Sequence, residues 1–323
     1  MTHAVRAFGE GMWAVVRAPI LLAAVALATL LVAMPFGLVL GQRVQTSLAN
    51  QPPLAAGGGE IDPDWWAEFR NHASGLEATF TPTVIGFAAP LDNLSAVLDG
   101  TARPTALAGP IALAVVLWAV LWGGLMDRFV RGRAAGPRGF LAAGWRHFSR
   151  FAIISLASGV VILVLYLTVH AVLFGPVYTW LAGRADSEPL AFLWRIGLYV
   201  IFGGLIAVVG LVADYARVSV VVSDGRSARE AIRLGATFVR RHFSTVLTLY
   251  VLTGTMFVAV LAAYGVLDIY GGSRVGGWRA IVLGQAYILA RLAIRLMVAA
   301  SEVALFRSVG DHVRVGMRKA PAE

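Results

Sequence analysis

The feature that most limits what this chain can fold into is a series of long, nearly charge-free apolar runs, of which 19–41 and 151–174 are the clearest. Each exceeds the ~18 residues an α-helix needs to cross the hydrocarbon core of a bilayer. Hydrocarbon offers no partner to a backbone N–H or C=O, so such a run must satisfy its own polar groups as a helix. The ~10-residue alternating segments of a transmembrane β-barrel are absent from the sequence. The reading is an all-α integral membrane protein with six transmembrane helices, at 19–41, 106–127, 151–174, 191–213, 246–270 and 279–305. One membrane domain is expected over 1–323, with an external loop at 42–105.

Charge then orients the spans. Charged residues are only 14% of the chain, against about 25% in soluble domains, yet the net charge is +9. With the N-terminus inside, most of the 27 cationic residues fall on the inner side, including Arg128–Arg150 and Arg217–Arg241 as two dense groups. Anionic inner-leaflet lipid and the membrane potential favour that bias, which places both termini in the cytoplasm of a bacterial inner membrane. Topology thus accounts for the basic charge, and no basic–aromatic motif points to nucleic acid. Ser47-Leu48-Ala49 loosely resembles a signal-peptidase site, but the apolar run before it is too long for a signal peptide, so an uncleaved first span is expected.

A repeated tetrapeptide suggests the architecture. Arg146-His147-Phe148-Ser149 returns as Arg241-His242-Phe243-Ser244, each time leading into an apolar run. Upstream lie Gly132-Arg133 and Gly225-Arg226, and before them the acidic–basic span exits Asp127-Arg128 and Asp214-Tyr215-Ala216-Arg217. The second copy is longer, and 218–225 reads as the insertion, an extended piece closed by a turn. A weaker third copy is 8–17, with Glu302 and Arg307 echoing the exit on the last span. These features predict three parallel helical-hairpin repeats, each preceded by a cytoplasmic amphipathic helix. Inverted repeats are common in secondary transporters, so parallel ones weigh against transport.

The best specified of these helices follows Ser227-Ala228-Arg229-Glu230, a capping-box pattern. Its apolar stripe, Ala231, Ile232, Gly235, Phe238 and Val239, opposes Arg229, Arg233 and Arg240. Together with Arg241, Arg146 and Arg150 these cations are a candidate surface for lipid headgroups or a protein partner. The alternative is an interfacial helix that packs the base of the bundle while its arginines snorkel.

Within the membrane, Arg291, Arg295 and Glu302 share one helical face, with Arg295 about 40° and Glu302 about 20° from Arg291. A central charge costs at least ~2.5 kcal/mol to insert, so this face should meet protein or water. Two readings stay open: an anion-attracting cavity or headgroup path, and a structural ion-pair network through Asp127 or Asp214. His170 reads as a hydrogen-bonded packing residue rather than a proton relay. Gly123-Gly124 and Gly203-Gly204, with Ala207 and Gly210, predict close helix–helix contact.

In the external loop, Asp62, Asp64 and Glu68 lack the EF-hand pattern, and Trp65 and Trp66 read as interfacial anchors. The apolar stretch 82–98 is expected to lie along the outer membrane face and cover the bundle. The chain has no cysteine, which excludes disulfides and thiolate metal sites, and the six histidines show no ligand spacing. No GxSxG, Walker, HExxH or GxGxxG motif is present, so neither catalysis nor a cofactor is expected.

Asp214-Tyr215-Ala216-Arg217, Asp224-Gly225-Arg226-Ser227-Ala228-Arg229-Glu230-Ala231 and Phe238-Val239-Arg240-Arg241-His242-Phe243 carry a resemblance. Over residues 105–310 the chain resembles uncharacterised bacterial polytopic inner-membrane proteins. It is similar there to the membrane domain of some glycerophosphodiester phosphodiesterases. The resemblance implies a membrane setting and a connection with lipid; the phosphodiesterase catalytic domain has no counterpart, and no catalytic residue transfers. The expected function is a non-enzymatic membrane protein that handles or senses lipid, or an accessory subunit of a membrane complex. The expected partners are the bilayer, an anionic lipid or another membrane protein. The alternative is a small-solute or anion transporter using the Arg291/Arg295/Glu302 face.

Overall fold

A computed structural model describes residues 2–49, 63–79, 88–101, 105–132, 136–223, 227–270 and 278–318. Every described element is helical. In chain order these are α1 (Thr2–Val16), α2 (Pro19–Ala49), α3 (Pro63–His72), α4 (Ala88–Asp99), α5 (Ala108–Arg131) and α6 (Gly136–Leu165). After α6 come two π-helical turns, Tyr166–His170 and Leu173–Val177, and then α7 (Tyr178–Ala182). The chain continues as α8 (Glu188–Val222), α9 (Ala228–Arg241), α10 (Phe243–Tyr270) and α11 (Trp278–Arg318). Among the described residues, six helical stretches are long and apolar enough to cross a membrane: α2, α5, α6 through α7, α8, α10 and α11. This is the number that the apolar runs predict.

Packing is concentrated toward one end of the bundle. The buried residues of α5 run from Val120 to Asp127, and those of α8 lie chiefly between Leu211 and Val221. In α11 they run from Tyr287 to Leu305 and are densest after Leu292. Leu27, Leu31, Val160, Leu163 and Val200 are exposed, as expected of side chains that meet lipid tails. α11 is the hub, touching α1, α2, α5, α8 and α10, while α9 lies against the end of α8.

Glycines set three of these contacts. A Cβ on Gly144 of α6 would lie 2.4 Å from the Val120 carbonyl of α5, and one on Gly123 would lie 2.9 Å from the Gly144 carbonyl. On Gly235 of α9 it would lie 2.6 Å from the Val212 carbonyl of α8. Gly11 of α1 is equally close to α11, where a Cβ would meet the Met297 carbonyl at 2.8 Å. Small residues let helix backbones approach where side-chain bulk would hold them apart. Gly123-Gly124 therefore makes the expected close contact. The other doublet does not: Gly203 faces Leu98 of α4, and Gly204 and Gly210 have nothing within 4 Å.

Two local expectations are corrected. Residues 218–222, read as an extended insertion, are the last turns of α8, with Val218, Val220 and Val221 buried against Met126, Phe151 and Ala231. Burial overrides the strand preference of the valines, a preference that itself reflects packing. The basic stretch before the third span is likewise no separate helix. α6 runs unbroken from Gly136 through Arg150 and Phe151. At the corresponding place after α9, His242 leaves the helical region (φ −121°, ψ 28°) and divides α9 from α10.

The capping box forms as read. Glu230 N–H donates to Ser227 Oγ and Ser227 N–H to Glu230 Oε2, each at 3.3 Å. Ser227→Ala is expected to cost about 1 kcal/mol, seen as a lower melting temperature in detergent. An unchanged melting curve would mean that the α9 terminus contributes nothing to the stability of the bundle.

Candidate functional site

The polar centre of the bundle lies where α8, α10 and α11 meet. Asp214 and Arg217, three residues apart on α8, form an ion pair at 2.6 Å. Arg217 also donates to Ser155 Oγ of α6 at 3.2 Å. The Tyr250 hydroxyl of α10 lies 3.1 Å from Asp214 Oδ2 and is hydrogen-bonded to Glu302 Oε1 of α11. Glu302 is 1% exposed, and its Oε2 is buried without a hydrogen-bond partner among the described residues. Three helices thus converge on two carboxylates, one phenol and one guanidinium.

Beside this cluster are two cavities whose linings share Trp118, Arg295 and Val298. The smaller, about 410 Å³, is lined by Ser155, Asp214, Arg217 and Glu302 together with Trp118 and Trp122. The larger, about 530 Å³, is lined by Arg291, Tyr250 and Thr253, with Trp118, Phe257, Ile288 and Leu292 as apolar wall. The Arg295 guanidinium lies 3.7 Å from the Trp118 ring centroid and 5.5 Å from that of Trp122. Arg291 lies 5.5 Å from the ring centroid of Tyr287, one turn before it. Among the described residues neither arginine has a carboxylate within ion-pair distance or donates a hydrogen bond to protein. Stacking on a ring uses the face of a guanidinium and leaves the N–H donors in its plane available to a ligand.

The shared face of Arg291, Arg295 and Glu302 therefore lines cavities, and Asp214 joins them. Asp127 does not. It is buried on α5, where Arg131 donates to it at 2.8 Å and His147 Nε2 lies 3.8 Å away. An aspartate at the end of a span is most easily neutralised by the arginine one turn on. His170 is also placed elsewhere. Its Nε2 donates to the Leu98 carbonyl of α4 at 3.1 Å, and its ring packs against Phe174 and Phe202. α4 is fixed to the end of α6 and α8 by this bond, by Tyr166 donating to the Val97 carbonyl, and by Tyr199 donating to Asp99. The Tyr199 hydroxyl, then that of Ser95, holds the Asp99 carboxyl below its usual range.

Of the candidate surface, Arg229, Arg233, Arg240, Arg241 and Arg146 are exposed, whereas Arg150 is half-buried. In the loop, Trp65 is 3% exposed and stacks on Phe69 at 5.1 Å, which corrects its reading as a membrane anchor; Trp66 is half-buried beside the same ring. Asp62 lies outside the described residues, as do the side chain of Asp64 and the stretch 80–87. No group of three or more potential metal ligands occurs among the described residues.

The sequence reading missed Tyr250, Trp118 and Trp122. A tyrosine in an apolar run gives no pattern of its own, and its signal here is spatial. Two tryptophans one turn apart ahead of Asp127 were readable as a stripe, but nothing in their spacing names Arg295 as what they hold. No known protein family, curated protein or solved structure matches the chain.

Proposed function

We propose that the chain is a non-catalytic membrane protein that holds an anionic lipid headgroup in the cavity between α2, α5, α10 and α11. The observation that carries this reading is the pair Arg291 and Arg295, lining an otherwise largely apolar cavity of about 530 Å³ without ion-pair or hydrogen-bond partners among the described residues. A phosphodiester with acyl tails matches such a site: anionic oxygens for the guanidinium donors, hydrocarbon for Phe257, Ile288 and Leu292. The competing structural network describes Asp214 and Arg217 instead, which are paired with each other.

The bundle supports the three-unit reading of the sequence. α9 docks on α8, the first turns of α6 on α5, and α1 on α11, each through a glycine. In that arrangement the exposed arginines of α9, with Arg146, belong to the cytoplasmic side of a bacterial inner membrane, where they meet anionic headgroups or a partner subunit.

The test is gentle extraction from the host membrane followed by native mass spectrometry of bound lipid and protein. Enrichment of an anionic phospholipid is expected, and Arg291→Ala with Arg295→Ala should lower it by roughly tenfold or more, since each charge-assisted bond contributes about 1.5–3 kcal/mol. Enrichment that survives the double substitution removes the site from this cavity.

Anion transport is a second reading, favoured by the second cavity, which shares Arg295 and extends toward Glu302. The chain has no cysteine, so Arg291→Cys provides a single label. Modification by a membrane-impermeant thiol reagent from either side supports transport, and protection from both sides removes it.

A further inference from the structure

We infer that Glu302, in the wall of the smaller cavity, carries a proton, and that this proton is linked to occupancy of the neighbouring Arg291/Arg295 cavity by an anion. The proton follows from hydrogen-bond counting; the linkage rests on the headgroup reading above.

Tyr250 Oη lies within hydrogen-bonding distance of both Asp214 Oδ2 and Glu302 Oε1. A phenol has one proton to donate, and an ionised carboxylate has none. With both carboxylates ionised, one of these two contacts would have no hydrogen in it, and two like charges would share a buried site. One added proton removes both difficulties. Glu302 Oε1–H then donates to Tyr250 Oη, whose own O–H donates to Asp214 Oδ2. Asp214 is the member of the pair that already accepts from Arg217, at 2.6 Å. Glu302 has no cation within ion-pair distance among the described residues, and its second oxygen is buried without a partner. The geometry therefore places the proton on Glu302.

Facing Glu302 are Asp214, Tyr215 and Arg217 from α8, Tyr250 from α10, and Arg295 from its own helix. α5 and α6 bring no charged side chain to that cavity: Val115, Trp118, Ala119 and Trp122 from the first, Phe151 and Ser155 from the second. The charged pair of α1, Arg6 and Glu10, lines a different cavity with Arg307.

Arg295 connects the proton to the ligand. It lines both cavities and lies seven residues from Glu302 on the same face, about 10 Å along the helix. An anion held at Arg295 disfavours a second negative charge on Glu302. Deprotonated Glu302, in turn, competes with that anion for the guanidinium. Binding is therefore tighter with Glu302 protonated, and the effect is reciprocal. Affinity should fall as pH rises through the loss of this proton, by at most about tenfold per pH unit for one linked proton. A phosphodiester keeps its own charge over the same range, so the change belongs to the protein.

Two measurements test this. The first is infrared spectroscopy of the ligand-free protein in detergent at neutral pH. The carbonyl stretch of a protonated carboxyl is expected, and it should be lost in Glu302→Gln. Tyr250→Phe removes the acceptor but keeps the acid, and should shift the band to higher frequency. No band, or a band that is unmoved by either substitution, overturns the protonated Glu302. The second is binding of short-chain phosphatidylglycerol between about pH 5 and about pH 8.5. The unsubstituted protein should weaken with rising pH, while Glu302→Gln should keep its acid-side affinity throughout. Binding that is independent of pH overturns the linkage. Absence of binding at every pH overturns the headgroup reading and the linkage with it, while the infrared band still decides the proton.

Discussion

Asp214→Ala is expected to destabilise the protein by about 1–3 kcal/mol, the result of stranding one partner of a largely buried ion pair. Arg217 has a side chain only 20% exposed and loses its carboxylate, retaining among the described residues the hydroxyl of Ser155 as a hydrogen-bond partner. Tyr250 loses the acceptor of its hydroxyl proton at the same time. Most of the cost is the stranded charge rather than the worth of the bond, so removing both partners should be milder. Asp214→Leu with Arg217→Met should recover a large part of the loss, because apolar side chains of similar volume can replace a buried pair. Thermal unfolding in detergent, followed by size-exclusion retention, reads both variants. Equal damage in the single and double variants would mean that these positions act through packing alone.

Gly235→Leu and Gly144→Leu should do comparable harm, by geometry instead of charge. The first atom of any side chain at Gly235 meets backbone of α8, the Val212 carbonyl at 2.6 Å and the Ala216 nitrogen at 2.7 Å. Backbone cannot rotate away as a side chain can, so α9 has to lift from α8. Overpacking in a close-packed interior costs about 1–3 kcal/mol, and separation of the helices exposes Ala231 and Val239 in addition. Gly9 on α1 is the control. A Cβ there has nothing within 4 Å, and Gly9→Ala should be neutral or stabilising by up to about 1 kcal/mol. If Gly235→Leu melts with Gly9→Ala, the close approach of α8 and α9 is not what holds them.

What the sequence made legible was whatever is written in one helix at a time. Apolar runs gave six spans because the bilayer imposes a length. Ser227 and Glu230 gave a helix start because the capping bonds span three residues. Arg291, Arg295 and Glu302 were placed on one face by helical period alone. Pairing between helices was less accessible. Asp127 and Asp214 occupy similar positions at the ends of α5 and α8, yet only Asp214 reaches α10 and α11 through Tyr250. His170 gave no hint of α4, since its partner is a backbone carbonyl 72 residues away. The valines at 218–222 misled because β-branched residues suit a strand unless a neighbouring helix buries them. Trp65 misled for the opposite reason, its burial depending on a loop fold that leaves no periodic trace.

The docking of α1 on α11 has a consequence for synthesis. Ala4, Ala7 and Gly11 are covered by helices that begin at Phe243 and Trp278. At about 5–20 residues per second, translation reaches those helices tens of seconds after α1 has left the ribosome. For that interval α1 has its eventual inner face uncovered, and a bilayer surface or an insertion factor is what can shelter it. Assembly of this bundle thus closes only when α11 arrives to receive α1.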